Sequence, residues 1–140
     1  MLKKLSFVLI LLISAGFVYA QQTGTTEKST PLPADGGEPG KAYMTYTKAF
    51  ASGDMAALKK MVSSDRAKAM DDPQFKEMFS MMQSMQPKDI KVTGGTMTSK
   101  DANLNVEAKA EGNTKTTGTV HMILEDKVWK VEKESWKSSM

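Results

Sequence analysis

The chain has 140 residues, with 19 Lys plus Arg against 16 Asp plus Glu, one histidine and no cysteine. That length is enough for one domain, and the missing cysteine excludes disulfides, thiolate metal sites and thiol catalysis. Lys3 and Lys4 supply two of the basic charges, so the chain beyond residue 20 carries 17 basic against 16 acidic side chains, a balance that gives no electrostatic footprint for nucleic acid.

Residues 1–20 read as a secretory signal peptide. Lys3 and Lys4 form a basic start, Leu5 to Phe17 an apolar stretch, and Val18 and Ala20 are the small residues before a cleavage point at Ala20/Gln21. The apolar run falls short of the about 20 residues a bilayer span needs. The expectation is a periplasmic or secreted protein with no stable membrane anchor after cleavage. Residues 21–39 are rich in Thr, Gly, Pro and Ser, with Leu32 their only large apolar residue, which predicts a disordered linker. The folded domain is expected over residues 40–140.

Its first half is helical. Ala42, Tyr43, Tyr46, Ala49 and Phe50 recur at spacings of three and four, the mark of one helix face, and Gly53 stops that helix. Asp54 is placed to cap a second helix carrying Met55, Leu58, Met61 and Val62. A third begins at Ser64 or Asp65 and runs to Met70. A fourth follows Pro73 with Phe75, Met78, Phe79, Met82 and Met85 at helical spacing. The period then changes to two. Ile90 and Val92 open a strand that the pair Gly94-Gly95 bends. Ala102, Leu104, Val106, Ala108 and Ala110 form a second, Val120, Met122 and Leu124 a third, and Trp129 with Val131 a fourth beyond a tight Asp126-Lys127 turn. Helices followed by strands predict an α+β fold, N-terminal helices on a four-stranded antiparallel sheet.

The run Ala49-Phe50-Ala51-Ser52-Gly53-Asp54, closing one helix and opening the next, resembles the start of domains in the nuclear transport factor 2-like superfamily. The ending, a strand Thr117 to Leu124, an acidic turn and Val128-Trp129-Lys130-Val131, is similar to its exported bacterial members near the lumazine-binding-like group. One departure is Lys127, where such turns usually carry glycine. The resemblance implies a curved sheet wrapped around helices, with a cone-shaped cavity between. It leaves activity open, because the superfamily holds cyclases, isomerases and dehydratases as well as non-catalytic modules.

The candidate chemistry is sparse. His121, the only imidazole, falls by strand parity on the face opposite Val120, Met122 and Leu124; it is the sole candidate base for a small cyclase or isomerase. Glu107, Glu111, Glu132 and Glu134 sit at polar positions of the strands, where solvent exposure is expected. Met78, Met81, Met82 and Met85 form a methionine stripe, read first as a core face, then as a pliable apolar pocket, and third as a copper(I) site, since thioethers suit soft metals. No resident cofactor or metal is called. The preferred reading is a non-catalytic exported binding module, with Tyr46, Phe50, Met78, Met82 and Trp129 lining a site for an apolar small ligand. The other candidate partners are a protein, or a second copy docked through the sheet.

Overall fold

The computed structural model describes residues 27–137. The expected signal peptide and the first residues of the expected linker lie outside them. In chain order the elements are β1 Thr30–Pro31, α1 Gly37–Ser52, α2 Met55–Met61, α3 Ser64–Ala69, α4 Pro73–Met85, β2 Lys88–Met97, β3 Asp101–Lys109, a short 3-10 turn Glu111–Asn113, β4 Lys115–Glu125 and β5 Val128–Trp136. The five strands lie antiparallel in the order β1-β2-β3-β4-β5, with the four helices against one face. The α+β expectation therefore holds, with a fifth, two-residue strand added at the edge. Among the described residues no helix is long and apolar enough to cross a membrane.

Local chemistry explains the helix boundaries. Gly53 takes a left-handed conformation and its amide returns to the carbonyls of Ala49 and Phe50, closing α1. The Asp54 side chain accepts from the Ala57 amide, Ser63 from Arg66, and Asp72 from Gln74, so α2, α3 and α4 each begin on a short polar cap. The third helix is thus capped by Ser63, one residue before the expected start.

The expected linker over 21–39 needs correction from residue 27 onward. Thr30 and Pro31 pair with Met97 and Thr96, and the Leu32 amide donates to the Gly95 carbonyl at 2.8 Å. Leu32 packs against the core, and α1 begins at Gly37, before Pro39. A proline at a sheet edge loses no ladder bond when its nitrogen faces outward. The pairing spans more than sixty residues of sequence and uses main-chain groups, so side-chain composition does not announce it.

The core is the inner sheet face against α1, α2 and α4. Leu104, Val106, Val120, Met122 and Val131 meet Tyr43, Tyr46, Phe50, Leu58 and Phe79, all buried. Two expected core residues stand further out: Leu124 is 36% exposed, and Trp129 is only partly buried. Both lie beside the β4–β5 turn, at the margin of the face the helices cover, where Trp129 still packs against the core from one side. β2 bends at the register shift between Val92 and Gly94, and a Cβ on Gly95 would stand 2.1 Å from the Asn103 carbonyl oxygen. Only glycine lets β3 approach there.

The β4–β5 turn resolves the Lys127 departure. Asp126 and Lys127 both have positive φ, 51° and 64°. That is the two-residue type I′ hairpin turn, whose twist matches the strands. Lysine occupies the left-handed position at a steric cost of about 1–2 kcal/mol. Lys127→Gly should therefore stabilise the protein, by roughly 0.5–1 kcal/mol once glycine's greater unfolded entropy is counted. Urea denaturation checks this; an unchanged or lower midpoint contradicts it.

Candidate functional site

The site is built by an irregularity in β5. Val120 faces Glu134, His121 faces Lys133, and Met122 faces Val131, so β5 carries one extra residue between them. This β-bulge changes the strand's parity. Val131 and Glu134, three apart, both turn inward, which a regular strand of period two forbids. Glu134, expected in solvent, is instead a carboxylate inside the cone, with its side chain 16% exposed.

Its partners come from two helices. Tyr43 and Tyr46, three apart on α1, lie on one helix face with rings 5.9 Å between centroids. The Tyr43 hydroxyl donates to Glu134 Oε2 at 2.9 Å and the Tyr46 hydroxyl to Oε1 at 2.8 Å. α3 brings Arg66. Val62 bridges to Val131, and the Ser63 amide donates to the Val131 carbonyl at 3.0 Å, which docks the start of α3 on β5. Ser64 donates to Glu125 through its amide (2.9 Å) and hydroxyl (2.8 Å), clamping the same end. Arg66 Nη2 then donates to the Tyr46 hydroxyl at 3.0 Å and to Glu134 Oε1 at 3.3 Å, with the guanidinium 5.6 Å from the Tyr46 ring centroid. Its other terminal nitrogen, Nη1, is buried and has no hydrogen-bond partner; no other buried side-chain polar atom among the described residues is unpartnered.

Burial, reinforced by the neighbouring Glu134 charge, pushes both phenols far above their ordinary value of 10. They stay protonated and remain donors.

This cluster divides the cone. Behind it Leu58, Val62, Met70, Phe75 and Phe79 fill the interior and leave a void of about 10 Å³. In front lies an open cleft of about 240 Å³, walled by Tyr46, Phe50, Met82, Met85, Pro87 and Trp136, with Arg66 and Glu134 also on its surface. Trp136 packs on Gly118, where a Cβ would fall 2.8 Å from the ring. A groove of about 820 Å³ between α1, α4 and the start of β2 is larger, but no buried charged group faces it.

Of the five expected site residues, the structure brings together Tyr46, Phe50 and Met82. Met78 and Trp129 are corrections: neither lines the cleft. Met78 is 49% exposed on the outer side of α4, because Phe75, Phe79 and Met82 take the inward face. Trp129 lies five residues and one bulge before Glu134, and Trp136 takes the position by the cleft. The methionine stripe is likewise not a core face, since Met78, Met81 and Met85 are about half exposed or more and only Met82 packs inward. His121 stands on the outer sheet face, partly exposed, with Nε2 at 3.4 Å from Asp101 Oδ2. It is separated from the cleft by the sheet. Among the described residues no group of three or more His, Cys, Asp or Glu side chains could hold a metal ion.

Sequence reasoning missed Arg66, Glu134 and Trp136. One signal for Arg66 was present: it is the only arginine among 19 basic residues. A chain that uses lysine for its solvated surface keeps arginine for a site where a planar, permanently charged fork is needed.

The family model described as NTF2-like N-terminal transpeptidase domain matches residues 38–139. The chain belongs to that family. A solved structure from Campylobacter jejuni, given the name NTF2-like transpeptidase, is similar in fold, with a TM-score of 0.51 and 19% identity over 68% of this chain and 97% of that one. No curated protein matches the sequence. The NTF2-like domain is thus established as a fold, and its activity has to be argued from the site.

Removing the Glu134 carboxylate should be costly, because it leaves Arg66 without its counter-ion and two phenols without acceptors. Glu134→Ala is expected to destabilise by roughly 3 kcal/mol, the low end for a broken buried pair because the Arg66 side chain is 26% exposed. Chemical denaturation measures it, and a loss below about 1 kcal/mol would place the cluster at the level of a surface pair.

The phenols give a pH test. An unfolded chain releases their protons near pH 10, whereas the native chain holds them. Their contribution to stability is whole below pH 10 and is lost as the pH rises beyond it. Ultraviolet titration should show Tyr43 and Tyr46, the two tyrosines beyond residue 20, ionising only with unfolding; ordinary titration of both near pH 10 contradicts the buried geometry.

Proposed function

We propose that this NTF2-like domain is a non-catalytic binding module, exported by the signal sequence of residues 1–20, whose cleft takes a small ligand with an apolar body. The observation that carries the reading is the cleft itself: six apolar or aromatic side chains from α1, α4, the segment after it and β5 converge on one mouth. Such a concave apolar site with a few polar groups at its base is what small-molecule recognition requires. Aromatic rings supply flat contact area, and methionine side chains adjust to the ligand's shape.

The polar groups at the base support binding over catalysis. Glu134 is the cleft's one carboxylate, and both its oxygens already accept from Tyr43, Tyr46 and Arg66. Three donors already hold the carboxylate in place, and only the second lone pair of Oε2 is left for a substrate proton. The enzyme alternative through His121 would need a site on the opposite face of the sheet.

A second reading, a protein partner, rests on α4. Met78, Met81 and Met85 are 49%, 53% and 73% exposed on one helix, and pliable methionine surfaces suit partner binding. The same exposed thioethers would be the ligands in a copper(I) reading.

Titration of the full chain with N-phenyl-1-naphthylamine, an uncharged apolar dye, tests the cleft. Dye emission should rise and shift to the blue, with energy transfer from tryptophan. Met85→Gln, at an exposed position, should weaken binding severalfold without changing stability. No uptake by the native protein overturns the ligand reading and leaves the α4 partner face.

A further inference from the structure

We infer that Arg66 Nη1 is the recognition group of the cleft, and that the ligand is an uncharged apolar molecule carrying a hydrogen-bond acceptor, a carbonyl above all. This rests on the cleft being a ligand site.

The first observation is the orphan nitrogen. A buried donor of a charged group left without a partner costs more than an ordinary hydrogen bond returns. Arg66 has its Nη2 satisfied twice, by Tyr46 and Glu134, while Nη1 has nothing. A trapped water has little to hold it. The void behind Arg66 is about 10 Å³, at the lower limit of the about 10–15 Å³ one water occupies. Its walls are Phe50, Leu58, Val62, Met70, Phe75 and Phe79, with the Tyr46 hydroxyl already committed to Glu134. A water there would lack the two to four polar partners it needs. The missing acceptor therefore has to enter from the cleft, which Arg66 lines; Nη1 itself is covered in the free protein, so a ligand reaches it only as the cleft wall moves aside. The way in passes Met82 and Met85, whose unbranched side chains rearrange readily.

The second observation is charge. Arg66 and Glu134 are the charged residues on the cleft surface, and they are paired at 3.3 Å. The site is electrically balanced before any ligand arrives. A carboxylate entering beside Nη1 would meet the Glu134 carboxylate at close range, and an ammonium would meet the guanidinium; like charges brought together in a poorly solvated site repel strongly. A neutral carbonyl accepts from Nη1 and disturbs neither charge. Tyr43 and Tyr46 aim their hydroxyls at Glu134, so Nη1 is the free donor of the cluster.

Displacement of N-phenyl-1-naphthylamine by three matched competitors tests this. 2-Acetylnaphthalene should bind about tenfold more tightly than 2-ethylnaphthalene, and more tightly than 2-naphthoate. In Arg66→Lys, which keeps a cation beside Glu134 but has no second terminal nitrogen, the acetyl-to-ethyl ratio should fall to near one. In Glu134→Gln, which leaves the guanidinium charge unbalanced, 2-naphthoate should become the tightest of the three. Thermal melting verifies that each variant is folded, and if either is not, the wild-type ratios decide alone. Equal binding of the acetyl and ethyl compounds, or preference for naphthoate in the wild type, overturns the inference while the cleft stands. Failure of the dye itself to bind overturns the cleft reading instead.

Discussion

A carboxylate inside an apolar cone is the constraint around which this domain is arranged. An unpaired charge in such a place is among the most expensive features a fold can carry. Glu134 is tolerated because two tyrosines and one arginine converge on it. Those three donors come from α1 and α3, so satisfying the carboxylate also fixes both helices against β5. The tyrosines can reach it together because they lie three apart on one helix face. Arg66 reaches it because the Ser63 amide is bonded to Val131, which holds the first turn of α3 on the strand.

The same cluster separates two regimes of packing. Behind it Leu58, Val62, Met70, Phe75 and Phe79 fill the cone and leave a void of only about 10 Å³. In front, the aromatic and methionine walls stay apart and leave a cleft. The ordinary open-or-filled choice for this fold is therefore answered region by region. A family defined by its cone does not fix what the cone does. Here the groups at the floor of the cleft, a carboxylate held by three donors and a guanidinium with one unpartnered nitrogen, are what the proposed binding of an acceptor rests on.

α4 shows how one helical pattern can be read in two ways. Phe75, Phe79 and Met82 form one stripe; Met78, Met81 and Met85 form an adjacent one. Both have helical spacing, and periodicity alone does not say which faces the core. The tertiary structure chooses the aromatic stripe, because two phenylalanines bury more apolar area than the methionines beside them and Phe79 finds the Phe50 ring at 5.1 Å. Gln83 adds a hydrogen bond to the Phe50 carbonyl, locking that rotation of the helix. The methionines are then left outside.

The sequence by itself determined the elements whose signals are local. Alternation in β3 and β4, the Gly53 stop, the Asp54 cap and the Gly94-Gly95 bend each act within a few residues, so they are legible without a partner. They also carried the resemblance to the family. Of the cleft they located Tyr46, Phe50 and Met82, side chains whose helix faces are set by period alone. The rest was decided in three dimensions. A single extra residue in β5 reversed the parity of everything after it, turning Glu134 and Trp136 inward. No composition or period marks that residue, because a bulge is defined only against the strand it pairs with. β1 depended in the same way on main-chain groups far along the chain. Arg66 became a site residue only once α3 was docked over that reversed strand.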